Sequence, residues 1–94
     1  MIFAKATKYT INPEKLKVFI DYLFVLTKKT RVQEFNLSFE YALETNDKIL
    51  ILERWSTKES YKNFIHLNEF KKELKTLEKM SKHTEVLYEV ELAK

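Results

Sequence analysis

Three features of this 94-residue sequence predict an α+β fold, a ferredoxin-like split βαβ sandwich whose four-stranded antiparallel sheet carries its helices on one face. The first is the order of elements, β, α, β, β, α, β, with the second helix broken in two. The second is Thr45-Asn46-Asp47, turn chemistry set between two apolar runs, which joins the middle strands as a hairpin. The third is length: a chain this short builds one core and not two, so residues 1–94 read as a single domain. A hydrophobic fraction of 45% with 33% charged residues is that of a folding globule rather than a disordered chain.

Residues 2–11, IFAKATKYTI, hold β-branched and aromatic residues and are bounded by Asn12-Pro13, which marks a first strand. Asn12 is placed to cap the helix that follows, Pro13 suits its first position, and Glu14 meets the positive end of its dipole. Along that helix Leu16, Phe19, Ile20 and Leu23 form one apolar stripe. Val18, Tyr22 and Val25 form a second, more than a simple surface helix needs.

Residues 35–44 alternate, with Phe35, Leu37, Phe39, Tyr41 and Leu43 on one side and Asn36, Ser38, Glu40 and Glu44 on the other, as a half-buried strand does. The next run, KILILERW, is apolar on both faces, Ile49 and Ile51 against Leu50 and Leu52. Helices on one side of a sheet cover only one of those faces, so a second subunit is expected on the other. Ser56 with Glu59 three residues on has the spacing of a capping box and predicts the start of the second helix. Asn68 is placed to cap a third helical run, in which Phe70, Leu74, Leu77 and Met80 form the buried stripe. Residues 84–92 close the chain as a strand in which Val86, Tyr88, Val90 and Leu92 alternate.

Several function classes are excluded. The chain has no Gly, and phosphate-binding loops need backbone that approaches a phosphate with no side chain in the way. It has no Cys, hence no disulfide or thiolate chemistry, which fits a reducing cytoplasm. His66 and His83 have no partner at metal-ligand spacing, so no metal and no cofactor are expected. Nothing at the N-terminus resembles an export signal, and the most apolar segment, LKVFIDYLFVLT, is too short for a bilayer and carries Asp21. The net charge of +3 raises the question of nucleic acid. However, Lys71, Lys72, Lys75, Lys79 and Lys82 alternate with Glu69, Glu73 and Glu78 as an ordinary solvated helix face, and KILILERW offers aliphatic rather than stacking residues. The expectation is a cytoplasmic homodimer that binds a small apolar or aromatic ligand and neither nucleic acid nor membrane.

Two residues are candidates for proton transfer. Glu53 shares a strand face with Ile49, Ile51 and Trp55; it reads either as a carboxylate in an apolar site, with its pKa raised, or as an edge residue paired to Lys or Arg. His66 reads either as a general base or as a partly exposed helix histidine. Phe39, Tyr41, Trp55, Tyr61 and Phe64 form a set that is more often core, yet 14% aromatic residues in so small a chain exceeds the needs of packing and makes them the candidate walls of a flat apolar cavity.

An aliphatic strand ending in Glu53-x-Trp55, a helix start at Ser56 with Glu59 four positions after the Trp, Phe70 before the final helix, and NLSFEYAL ahead of them resemble the antibiotic biosynthesis monooxygenase (ABM) family of dimeric α/β barrels. The resemblance covers nearly the whole chain. It implies a homodimer with sheets face to face and a pocket in each subunit between sheet and helices, used in some members to oxidise quinols or polycyclic aromatics with molecular oxygen and no metal or flavin. By that resemblance the chain is a cofactor-independent monooxygenase acting on a quinol-like or other small aromatic substrate. The alternatives are a non-catalytic dimeric binding or stress-related module, or a small-metabolite isomerase. Two positions at which many members carry His hold Phe64 and Glu69 here.

Overall fold

Proline has no amide hydrogen for a sheet and a φ fixed near the helical value, so the first strand ends ahead of Pro13 and the chain turns into helix. In the computed structural model, which describes residues 1–93, β1 spans Phe3–Thr10 and leads through a 3-10 turn at Pro13–Lys15 into α1, Leu16–Arg31. There follow β2 (Asn36–Thr45), β3 (Lys48–Trp55), α2 (Lys58–His66), α3 (Asn68–Lys79) and β4 (His83–Glu91). All three strand pairings are antiparallel and the order is β2-β3-β1-β4, the expected ferredoxin-like arrangement.

The inner face of the sheet carries Phe3, Tyr9, Phe39, Ile49, Ile51 and Trp55, all buried. Against it lie Phe19, Leu23 and Leu26 of α1, Tyr61 and Phe64 of α2, and Phe70 and Leu77 of α3. Burying one such aliphatic or Phe side chain stabilises the fold by about 1.5–3 kcal/mol, so this layer is the main source of stability. The outer face is different. Ala4 and Ala6 are buried there beneath longer neighbours, but Ile2, Leu37, Leu52, Tyr88 and Val90 remain exposed.

Two bulges change the strand phases read from the sequence. Asn36 pairs with Trp55 and Ser38 with Arg54, which leaves Leu37 as an extra residue. Leu37 therefore joins the outer face beside Leu52 and Tyr88 rather than the face of Phe39 and Tyr41. On β4, Thr7 pairs with Val86 and Ala6 with Tyr88, so Leu87 is the extra residue. Val86 then faces the helices while Tyr88 and Val90 face away, and the simple alternation expected for that strand is broken. One inserted residue reverses every side chain beyond it.

Helix starts also differ in detail. Ser56 still donates its amide to the Phe35 carbonyl at 3.0 Å, which prolongs the sheet by one residue. The cap of α2 is consequently Thr57, whose Oγ1 accepts the Ser60 amide at 3.0 Å, and not the expected Ser56 with Glu59. Asn68 is the first residue of α3 and Leu67 precedes it in extended conformation, with no side-chain cap. Asn12 makes no side-chain cap either; the Lys15 amide bonds to its backbone carbonyl at 2.9 Å. On α1 the first stripe packs as expected, whereas Val18, Phe24 and Val25 are exposed and Tyr22 is half-buried.

Candidate functional site

The alternation of β1 puts Phe3, Lys5, Thr7 and Tyr9 on the inner face, and the alternation of β3 puts Ile49, Ile51, Glu53 and Trp55 beside them, with Lys5 directly opposite Glu53 in the pairing. The helices do not close completely over this patch. They leave a cavity of about 230 Å³ whose floor is Lys5, Thr7, Tyr9, Phe39, Ile51, Glu53, Thr84 and Val86. Its roof is Tyr61, Phe64 and Ile65 of α2 with Leu74 and Glu78 of α3. Larger depressions of about 440, 400 and 450 Å³ lie on the outer sheet face, between α1 and β2 and along α3, and all three are more open.

Glu53 is only 8% exposed. Its Oε1 accepts a hydrogen bond from Trp55 Nε1–H at 2.9 Å, a geometry available because residues two apart share a strand face. Oε2 has no hydrogen-bond partner among the described residues. Burial pushes the Glu53 carboxyl above the usual carboxylate range; the Trp55 hydrogen bond and the Lys5 charge oppose that shift, and Glu89 adds to it. Lys5 Nζ donates to Tyr61 Oη at 2.5 Å, lies 4.9 Å from the Tyr61 ring centroid and 3.9 Å from Glu89 Oε1. Burial, with Glu53 nearby, raises the Tyr61 phenol well above its ordinary value. Tyr9 is raised too, again mainly by burial. Both phenols therefore stay protonated across the physiological range.

Of the residues singled out in the sequence, Glu53, Phe39, Tyr61 and Phe64 come together around the cavity. Trp55 stands behind the wall: it is 1% exposed, its ring centroid is 4.5 Å from that of Phe64, and it reaches the site through Glu53. Tyr41 lies elsewhere, in a groove between α1 and β2 with Phe24, Thr27, Lys28 and Arg31. His66 is also apart. It is exposed at the end of α2 with Nδ1 2.6 Å from the Lys62 carbonyl oxygen, about 200° round the helix from Phe64. Sequence reasoning did not single out Lys5, Tyr9 or Glu78. The signal for Lys5 was present, since a cation among Phe3, Thr7 and Tyr9 on one strand face is out of pattern. Among the described residues no group of three or more His, Cys, Asp or Glu is placed to hold a metal ion, and no helix is long and apolar enough to cross a membrane.

A family model described as antibiotic biosynthesis monooxygenase matches residues 2–75. The chain belongs to that family. Solved structures agree on the fold. An ABM-type protein of Deinococcus radiodurans is 14% identical with a TM-score of 0.87, over 100% of this chain and 94% of that one. A conserved protein of Methanosarcina mazei Go1 is 24% identical with a TM-score of 0.83, over 92% of this chain and 88% of the other. A variant of SnoaB, described as a cofactor-independent oxygenase of Streptomyces nogalater, is 10% identical with a TM-score of 0.83, over 99% and 94%. No curated protein matches by sequence. At these identities the solved ABM-type structures speak for the shared fold and not for a shared substrate.

Proposed function

We propose that this ABM-family chain is a monooxygenase-type enzyme that binds a one- or two-ring hydroxyarene, of the quinol or naphthol kind, in the cavity under α2 and α3, with Glu53 as the base. The observation that carries the reading is Glu53 itself, a buried carboxylate with a raised pKa, one oxygen held by Trp55 and the other without a partner, set against Phe39, Tyr61 and Phe64. Membership of the family and the oxygenase description of SnoaB support it. A space of about 230 Å³ is below the 300–1,000 Å³ usual for drug-sized ligands, so the substrate is small.

A general base works best with a pKa near the operating pH, and burial moves Glu53 in that direction. It takes the hydroxyl proton, and the resulting aryl oxide yields an electron to O2 more readily than the neutral phenol does. In the net reaction the hydroxyl O–H and one ring C–H are broken. One atom of O2 becomes a new C=O, and the other leaves with the two hydrogens as water. The substrate supplies all four electrons that O2 takes up, two with the inserted atom and two with the water. Phe39 and Phe64 hold the ring and keep water from it.

The same reading includes a homodimer built through the outer sheet face. Exposed Ile2, Leu37, Leu52, Tyr88 and Val90 support it, since a contiguous apolar patch on a sheet marks an interaction surface.

The test is oxygen consumption with a panel of naphthols and quinols. Glu53→Gln is expected to lower kcat by about 10²–10⁴, as loss of a general base does, with little change in KM. Binding without oxygen consumption would favour a non-catalytic module; neither binding nor turnover would sink the reading.

A further inference from the structure

The cavity holds one cation among the described residues that line it, and that cation is oddly partnered. Lys5 Nζ donates to the neutral hydroxyl of Tyr61 and not to a carboxylate. Glu53, opposite it in the strand pairing, is not within ion-pair distance, and the nearest acid, Glu89 at 3.9 Å, has a side chain 46% exposed on the solvent side. A pair at that distance whose acid is half in solvent is weak, so the ammonium, only 16% exposed, keeps positive charge available to the cavity it lines. Because Tyr61 Oη accepts from Lys5, its own hydrogen remains free to donate, and the ammonium polarises it.

We infer that Lys5 and Tyr61 form an oxyanion site opposite Glu53, so that the substrate is selected for an acidic C–OH group, a phenol or an enolised ring ketone, whose oxygen lies between them. This rests on the reading of the cavity as a substrate site. In the step concerned the substrate O–H bond breaks and an O–H bond forms on Glu53. The negative charge left on the substrate oxygen then faces the ammonium and the Tyr61 O–H. The substrate is not oxidised in this step, because the pair of the broken O–H bond stays on its oxygen. Donors fixed in advance where charge develops, in a site shielded from water, are the strongest electrostatic device open to an enzyme. A phenol kept neutral by burial suits that role, because it donates and adds no charge of its own. The other groups facing Lys5 sharpen the assignment: Tyr9 on β1 is neutral, while Glu53 on β3, Glu78 on α3 and Glu89 on β4 are acids. Among the described residues there, Lys5 is the only favourable charge for a bound anion.

The probes are 4-nitrophenol, whose ionised and neutral forms differ in absorbance, and its methyl ether 4-nitroanisole, which has no proton to lose. The wild-type protein is expected to lower the pKa of bound 4-nitrophenol below that of the free compound and to bind the phenolate more tightly than the ether. Lys5→Met is expected to raise that bound pKa by about one unit or more, a tenfold loss of phenolate preference, while the affinity for 4-nitroanisole is kept. Lys5→Arg restores the preference in part. Tyr61→Phe shows a smaller loss in the same direction, and it decides the matter if circular dichroism finds Lys5→Met unfolded. An unchanged bound pKa in a folded Lys5→Met, or in Tyr61→Phe should the former not fold, overturns the oxyanion site and leaves Glu53 and the aromatic walls standing. Failure of the wild-type protein to bind either probe overturns the oxyanion site together with the reading of the cavity.

Discussion

A carboxylate taken out of water loses solvation that one hydrogen bond from an indole does not fully restore, and Glu53 is such a group. Its folded pKa lies above its ordinary value of 4.5, so the folded protein holds the Glu53 proton more tightly than the unfolded chain. The linked stability is fully present below the unfolded pKa and is lost as pH rises through the folded one. Denaturant titrations from acid to mildly alkaline pH are therefore expected to show Glu53→Gln gaining stability relative to wild type as pH rises, the difference levelling off above the folded pKa. A difference that runs the other way would mean that the carboxylate is stabilised in place. Trp55 gives a second prediction. Its ring is fully enclosed behind Phe64 and does not line the cavity, so Trp55→Ala is expected to cost about 3–5 kcal/mol of unfolding free energy. Trp55→Phe keeps most of the packing but removes the N–H that favours the ionised Glu53. In that variant the acid limb of the pH–rate profile is expected to move to higher pH, with the fold retained on circular dichroism.

Among the elements, the join from β3 to α2 turns the sheet into the roof of the site. Thr57 holds it, because its Oγ1 satisfies the Ser60 amide at the open end of the helix. Thr57→Ala is expected to cost about 1 kcal/mol in chemical denaturation. Ser56→Ala should stay within about 0.5 kcal/mol, as surface changes away from such features do; the reverse order would restore the capping box at Ser56. The β2–β3 hairpin shows what a chain without glycine does at a tight turn. Two-residue hairpins favour turns with positive φ, usually supplied by Gly or Asn, yet no described residue has positive φ. The register instead shifts between Leu43 and Thr45, Thr45 Oγ1 donates to Asp47 Oδ1 at 2.6 Å, and the Asp47 carbonyl accepts the Ile11 amide at 2.8 Å.

For the whole molecule, the proposed homodimer rests on the outer sheet face. Leu52 is 36% exposed and Tyr88 44%, with Glu40 and Arg54 beside them and neither in an ion pair among the described residues. A Leu52→Glu substitution places a charge in the middle of this patch and does not touch the core. Sedimentation at micromolar concentration is expected to find a dimer for wild type and a monomer for the variant, with similar circular dichroism. A wild-type monomer would defeat the proposed homodimer.

Alternating and helical periodicity, with turn residues at Asn12-Pro13 and Thr45-Asn46-Asp47, determined the element order, the strand pairing and the inner-face positions of Ile51, Glu53 and Trp55, because side-chain direction along a regular element follows from spacing alone. Spacing could not show the bulges at Leu37 and Leu87, which depend on how two strands meet and which reassign every side chain beyond them. Nor could it separate Trp55, enclosed behind the wall, from Phe64, which lines it, or show that His66 turns outward while Lys5 turns in. Those distinctions arise from contacts between residues distant in sequence, such as Lys5 with Tyr61 fifty-six positions on. Only the packing of helices over sheet brings such pairs together, so the tertiary structure decided which of the chemically capable residues share one space.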